Sequence, residues 1–570
     1  MAMPKLPSPS FIAPLLVAAL APLCAHADHS HAAARHVVLI SVDGLHQSDL
    51  DTYVAVNPRS TLARLVNEGT SYSNARTPVP SDSFPGLTAL VTGGNPRSTG
   101  VYYDDSWNRK LLAPGTTDCA HTPPGTEVTY FEALDLNPLA IDAGFGVGAI
   151  DTAANIQANI YKLSGHATDL INTGALPIDP LTCQPVYPHA YLHVNTIFEV
   201  AKVHGLHTAW SDKHAAYDLV NGPSGAGVDD LFAPEINSTI PADLVGDGAT
   251  DEDFTKNNLN TQFYDALKLK AVLNWAAGRN HDGSANSAGI PAIFGMNFQT
   301  VSTAQKLNTS HFQNDQGVKG LGGYTNAGSL PGAVVTGALK FIDASLEQIL
   351  GAIDPKNTVL IVSAKHAQSP LDRAQLRLID DGEVTSALNA GWTQKTGSTT
   401  PLVAFSISDD AMLLWLSDRS RQATDFAKDF LLDYVPQKVG GSDANGHYVD
   451  KTGSVQHSGL RQIYAGRDAA TLIGVASSDE RVPDVIGIAS IGTVYSNPSK
   501  IKKIAEHGGN AEQDRHVPII VWGAGIHHDT SDEHVETTQI APSILTLLGL
   551  PARELQAVKK EGTQILPDLR

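Results

Sequence analysis

HVVLISVDG, residues 36–44, is an apolar run that stops at an acid and a glycine. A strand with one wet face would alternate polar and apolar residues. A run with almost no alternation is how a central parallel strand, covered on both faces, enters its loop. Four more stretches read the same way: HTAWSD (207–212), PAIFGMNF (291–298), TVLIVSA (358–364) and VPIIVWGAG (517–525). Helical patterns such as PRSTLARLVNEG, ALKFIDASLEQILGAI and TQIAPSILTLLGL lie between them. Strands alternating with helices predict an α/β fold, a mainly parallel central sheet with helices on both faces. Two long segments rich in Pro, Gly, Asn and Asp, near 102–206 and 371–482, are expected to be inserted cap or loop segments. Ligands of such sheets bind at the carboxyl ends of the strands, so the polar residues at those ends are the candidates for chemistry.

The 570-residue chain carries 39 basic and 59 acidic residues, a formal charge of −20. That balance repels phosphate-rich polymers at long range and excludes non-specific binding to a nucleic-acid duplex. Any anionic substrate must be attracted locally. Near the N-terminus, Lys5 precedes the apolar run FIAPLLVAALAPLC and the small-x-small pattern Ala25-His26-Ala27. The run has 14 residues and two prolines, too short and broken for a membrane span of about 20 residues. It predicts a signal peptide over 1–27, a secreted or periplasmic protein, and a mature chain without a transmembrane segment. A flexible lead over 28–35, one large domain over 36–555 and a C-terminal tail over 556–570 complete the expected organisation. Cys24 leaves with the signal, and the remaining pair, Cys119 and Cys183, is expected to form a disulfide in an oxidising compartment. The glycine-rich GVKGLGGYTNAG (317–328) lacks the GK[ST] ending of a phosphate-binding loop and reads as a flexible surface loop.

Asp43 closes the first strand, where Gly44 permits a sharp turn; taken alone, such an acid is more often a cap than a ligand. Ser83, in TPVPSDSFPGLTALVTGG, sits where a helix would begin, and helix amino ends favour phosphate-like anions. Capping by Ser81, Asp82 or Ser83 is the plainer explanation there. SAKHAQSP puts Lys365 and His366 at the end of a central strand, and AEHGGNAEQDRHVPIIVWG puts His507 just ahead of another. A lone histidine of that kind is usually structural.

These features come in one order: a strand-end VDG, a hydroxyl in Ser-Phe-Pro with TALVTG behind it, a strand-end histidine, His-Gly-Gly before VPIIVWG, and a closing TTQIAPSILTLLGL. The ordered set resembles the alkaline phosphatase superfamily, and within it the type I phosphodiesterase/nucleotide pyrophosphatase branch, over about 36–110 and 205–550. The resemblance implies that Asp43, His366 and His507 are metal ligands and that Ser83 is both nucleophile and metal contact. It also implies two zinc-like ions flanking the phosphoryl group and a covalent phospho-serine intermediate.

Two departures alter that picture. Lys365 stands where the family has the acid of an Asp-His pair, and the family's D-x-x-x-H pair falls on Asn297 and Val301. A protonated lysine offers no lone pair, but it places positive charge where an ion would sit. The expectation is therefore one divalent ion, zinc by resemblance, or none, with Lys365 helping to neutralise the bound anion. Asp212 and His214, at the end of HTAWSD, could instead supply missing ligands or form a structural turn. A sulfatase is disfavoured because Leu87 occupies the place of its motif arginine. The resulting expectation is an exported hydrolase of small phosphate esters, of phosphodiester or pyrophosphate bonds in particular. A phosphomonoesterase or phosphonate hydrolase on the same scaffold, and a non-catalytic ligand-binding descendant, are the alternatives.

Overall fold

The run at 36–44 forms the strand its pattern predicts. Val37, Val38, Leu39, Ile40 and Val42 are fully buried, each such side chain contributing roughly 1.5–3 kcal/mol of burial. The computed structural model describes Met1 and residues 34–240, 243–246 and 253–569. The predicted signal peptide beyond Met1, and the predicted lead up to residue 33, lie outside the described residues. The end of that lead is already tied down, since the Ala34 and Arg35 N–H groups donate to the Leu547 and Asn357 carbonyls.

The central sheet has nine strands: β1 His36–Val42, β2 Thr70–Arg76, β3 Ala209–Ser211, β4 Asp230–Phe232, β5 Ile293–Phe298, β6 Thr358–Ser363, β7 His516–Gly523, β8 Asp529–Ser531 and β9 Val535–Glu536. Their spatial order is β8-β2-β7-β6-β1-β5-β3-β4, with β9 also on β2. Strand β1 pairs in parallel with β6 through His36↔Thr358 to Ser41↔Ser363, and with β5 through Val37↔Ile293 to Val42↔Phe298. Strand β7 alone in this sheet runs antiparallel, to β6 on one side and to β2 on the other. This reversal decides which residues reach the site. The parallel strands β1, β5 and β6 bring their C-terminal loops to one edge of the sheet, and the antiparallel β7 brings its N-terminal loop to the same edge. His507, ahead of β7, is thereby carried to the edge where Asp43 and His366 emerge.

Helices α1 Gln47–Val56, α2 Ser83–Thr92, α3 Asn258–Ala276, α4 Thr300–Lys306, α5 Ala333–Ala352 and α6 Ile540–Leu547 cover the sheet. α3 packs on β5 and α5, and α2 on α6. Among the described residues no helix is long and apolar enough to cross a membrane. Strand β2, TSYSNAR, carries no apolar run that would announce it; it is held by its pairing with β7.

The segment 102–206 contains a two-stranded ribbon, Asp105–Asn108 with Thr126–Thr129, and short helical turns. Within it Cys119 and Cys183 form a disulfide with their Cα atoms 5.8 Å apart. Residues 377–495 build two further four-stranded sheets around their own core, which includes Leu388, Trp392, Leu414, Leu431 and Val485. The chain departs for these sheets at Ser369 and comes back at Glu506, and the two residues exchange backbone hydrogen bonds of 2.9 Å in both directions. The glycine-rich 317–328 stretch is anchored rather than loose, because the Tyr324 hydroxyl donates to Asp49 at 2.9 Å and the residue is buried. The expected tail over 556–570 continues as a helix, Gln556–Glu561, and buries Leu566.

Candidate active site

Asp43 comes directly after β1. Gly44, at φ +84°, turns the chain in the left-handed region that glycine enters without strain. The Asp43 N–H donates to Phe298 O (2.9 Å) and the Gly44 N–H to His366 O (3.0 Å), knitting the ends of β1, β5 and β6 together. The Asp43 Oδ2 atom lies 3.3 Å from Lys365 Nζ, 3.7 Å from His366 Nε2 and 3.8 Å from Lys213 Nζ. It also accepts from the amides of Asn297 (3.2 Å) and Gln299 (2.5 Å). Burial opposes the charge, but Lys365, His366, Lys213 and the Gln299 amide outweigh it and hold the carboxyl well below the usual carboxylate range.

Ser83 is the first residue of α2, but it is not the cap. Asp82 caps the helix, accepting from the Phe84 N–H at 3.1 Å, so the Ser83 hydroxyl is left for other work. Its Oγ is 3.2 Å from His366 Nε2 and 3.4 Å from Lys213 Nζ. His366 Nδ1 lies 3.1 Å from the Ala367 carbonyl, which assigns the ring proton to Nδ1 and turns the Nε2 lone pair toward Ser83. Burial, with His507 beside it, drives His366 well below the ordinary histidine range and keeps the ring neutral.

The approach of α2 to the Lys365–His366 turn depends on Gly86, where a Cβ would come within 2.0 Å of the Lys365 carbonyl oxygen. Gly86→Ala must therefore push Ser83 away from His366. We expect any reaction carried by the Ser83 hydroxyl to slow about a hundredfold, the effect of displacing a reacting group by about 1 Å. Kinetics on the purified variant, with circular dichroism to verify folding, measure the effect.

Lys365 is fully buried. Its ammonium lies between Asp43 and Asp212 (3.5 Å), donates to the Tyr217 hydroxyl (3.0 Å) and stands 4.7 Å from the Tyr217 ring centroid. Asp212 thus belongs to this cluster, its carboxylate held by the Trp210 indole N–H (3.1 Å) and the Lys213 backbone N–H (3.0 Å). His214 does not. It opens the next helical turn and pairs with Glu235, its Nδ1 2.8 Å from Oε2. Asp212 and His214 therefore do not chelate one ion together, because the turn sends their side chains to different partners. Val301 is buried in the core and offers no ligand atom.

His507 lies against His366, ring centroids 4.3 Å apart. Its Nδ1 is 3.2 Å from Asp82 Oδ2, and neither buried atom makes a hydrogen bond. Asp409 and Glu506 converge on it, with ligand atoms within 4.8 Å of one another. Glu506 is already neutralised by Lys306 (2.6 Å) and Lys503. A second convergence of possible ligands, Glu132, His214 and Glu235, lies on the other side of the Asp212–His214 turn.

Sequence reasoning passes over Lys213, Gln299, Asp409 and Glu506, and it sees Asp82 only as a cap. Lys213 is within its reach, because the residue sits inside the strand-end SDKH between two candidates. Asp409 arrives from the inserted sheets, and nothing local marks it.

Among solved structures, the alkaline phosphatase PafA superposes with a TM-score of 0.54 at 13% identity, covering 91% of this chain and 98% of that one. Murine ectonucleotide pyrophosphatase/phosphodiesterase 5 gives 0.51 at 11%, covering 91% and 96%. The human protein of the same name gives 0.50 at 12%, covering 90% and 95%. At such identities the likeness establishes the fold. No curated protein matches the chain. Residues 37–510 match the family model described as type I phosphodiesterase/nucleotide pyrophosphatase. The match takes in β1, α2, the Lys365–His366 turn and His507, and the chain belongs to that family of hydrolases.

Proposed function

We propose that this chain cleaves small phosphate esters, preferring phosphodiester or pyrophosphate bonds to monoesters, through a covalent intermediate on Ser83. The observation that carries this is the Ser83 hydroxyl: free of capping, at a helix amino end, and within hydrogen-bond reach of a neutral His366 and the Lys213 ammonium. Ser83 Oγ attacks phosphorus while its proton passes to His366 Nε2, and the bond to the leaving oxygen breaks. His366 passes that proton to the departing oxygen; water then attacks the phospho-serine and gives a proton to the again neutral His366, which returns it to the Ser83 oxygen as the P–Oγ bond breaks. Lys213 and Lys365 set fixed positive charge beside the developing negative charge on phosphorus, and Asp43 holds both in place. The family match supports the hydrolase class. The preference for diesters rests on the branch and not on a residue of the site.

The family implies two metal ions, and the residues fit that only in part. Around Asp43 the remaining groups are two ammonium ions, a neutral imidazole and two amides. Two positive charges within 3.8 Å of the carboxylate oxygen oppose a divalent cation there. On the other side, Asp82, Asp409 and His507 could hold one ion, zinc by their chemistry, which when bound supplies a Lewis acid for the leaving oxygen. Beside Asp43, the lysines therefore take over the work that the family gives to an ion.

The test is turnover of bis(p-nitrophenyl) and p-nitrophenyl phosphate by the purified mature protein. We expect faster cleavage of the diester, at least about a tenth of the rate retained in chelator, and a loss of about a hundredfold in Lys213→Met, as for one oxyanion-stabilising donor. Lys365→Asp should take up one more metal ion per chain than wild type. Undiminished turnover in Lys213→Met would overturn the lysine-built site, and inertness toward both esters would favour the ligand-binding alternative. Secretion or periplasmic export is part of the same proposal, and N-terminal sequencing of the exported protein tests it.

A further inference from the structure

Behind the turn that carries Lys213 lies a group of side chains that the reaction at Ser83 does not use. Glu132 and Asp135 are three residues apart around the Glu132–Leu134 3-10 turn, a spacing that sends both carboxyls to one side. Glu235 comes after β4, and His214 after β3. Ligand atoms of Glu132, His214 and Glu235 all lie within 4.8 Å of one another, with His214 Nδ1 2.8 and 3.0 Å from the two Glu235 oxygens. Asn237 fixes the acids: its side-chain amide donates to Glu132 Oε2 (2.8 Å) and its backbone N–H to Glu235 Oε1 (2.7 Å).

Asp135 supplies the independent observation. It is 2% exposed, neither of its carboxyl oxygens accepts from an N–H or O–H donor, and its carboxyl lies within hydrogen-bond reach of that of Glu235, which with burial holds it well above the usual carboxylate range. Among the described residues no lysine or arginine pairs with any of the three carboxyls; their one basic partner is His214. Carboxyls brought together with no cation in contact, the Lys213 charge reaching Glu235 only from a distance, and with Asp135 and Glu235 buried, call for neutralisation by protons or by a metal. One proton shared between Asp135 and Glu235 would satisfy one Asp135 oxygen and leave the other bare. A side chain aimed into the group with no protein donor has the geometry of a ligand instead.

We propose that Glu132, Asp135, His214 and Glu235 form a site for one divalent transition-metal ion, zinc or manganese. The imidazole favours these ions over calcium, which takes about six to eight oxygens. The site shares no residue with the Ser83 centre and does not depend on the reaction there. Its ion joins the 132–135 turn to the ends of β3 and β4, and so fixes the Asp212–His214 turn from behind.

The test combines metal counting with anomalous diffraction on the full mature protein, incubated with zinc or with manganese and then dialysed. We expect an anomalous peak bonded to Glu132, Asp135, His214 and Glu235, and loss of one ion per chain in Asp135→Asn/Glu235→Gln but not in His507→Ala. Chelation should lower the wild-type Tm by roughly 3 °C more than that of the double variant. A peak beside His507 alone, or no retained ion, overturns the proposal and assigns the carboxyls to proton sharing. Should the double variant not fold, the wild-type anomalous map decides by itself.

Discussion

Ser83→Ala is expected to slow hydrolysis of bis(p-nitrophenyl) phosphate by at least about ten-thousandfold, since removal of a nucleophile leaves only binding and electrostatic stabilisation. The thermal midpoint should stay within about 1 °C, because the helix cap belongs to Asp82 and the hydroxyl that is lost makes only long hydrogen bonds, 3.2 Å to His366 and 3.4 Å to Lys213. The split between the two readouts carries the information. A variant that lost both would show Ser83 holding α2 against the Lys365–His366 turn. A variant that retained full activity would move the nucleophile elsewhere. Single-turnover trapping of labelled phosphate on wild type, absent from Ser83→Ala, would identify the covalent step directly.

The second large effect concerns stability. Lys365→Met keeps the length of the side chain but leaves Asp43 and Asp212 facing each other without the ammonium between them. Removing one partner of a buried charged group costs about 3–5 kcal/mol, which in this chain should appear as a fall of several degrees in Tm. Adding Asp43→Asn to Lys365→Met should recover part of the loss, since the stranded charge is then removed as well. A double variant less stable than the single one would show that the lysine stem, packed on the Tyr217 ring, matters more than its charge.

The α/β fold was legible because its central strands are covered on both faces and therefore read as unbroken apolar runs. β2 escaped for the opposite reason: TSYSNAR is held by its neighbours in the sheet rather than by its own pattern. The direction of β7 was also hidden, since an apolar run has no arrow. At the site, Asp43, Ser83, Lys365, His366 and His507 were all visible as polar residues at strand or helix ends, and the structure brings them together. What could not be read was pairing across the chain. Asp212 turns toward Lys365 while His214, two residues on, turns toward Glu235, and only the fold decides that. Asp409 is further still from prediction, because it reaches His507 from an inserted sheet with a core of its own.

The hydrogen-bonded bridge between Ser369 and Glu506 has a consequence for how such a molecule diversifies. Everything in residues 370–505 leaves and re-enters the sheet through two adjacent points, at the rim where chemistry is placed. That makes the intervening piece an interchangeable cassette: its length and content can be rewritten without moving a strand of the sheet. Each new version can bring residues to His507 as this one brings Asp409. Selectivity can thus be revised by swapping one continuous stretch of gene, while the machinery beneath it is inherited intact.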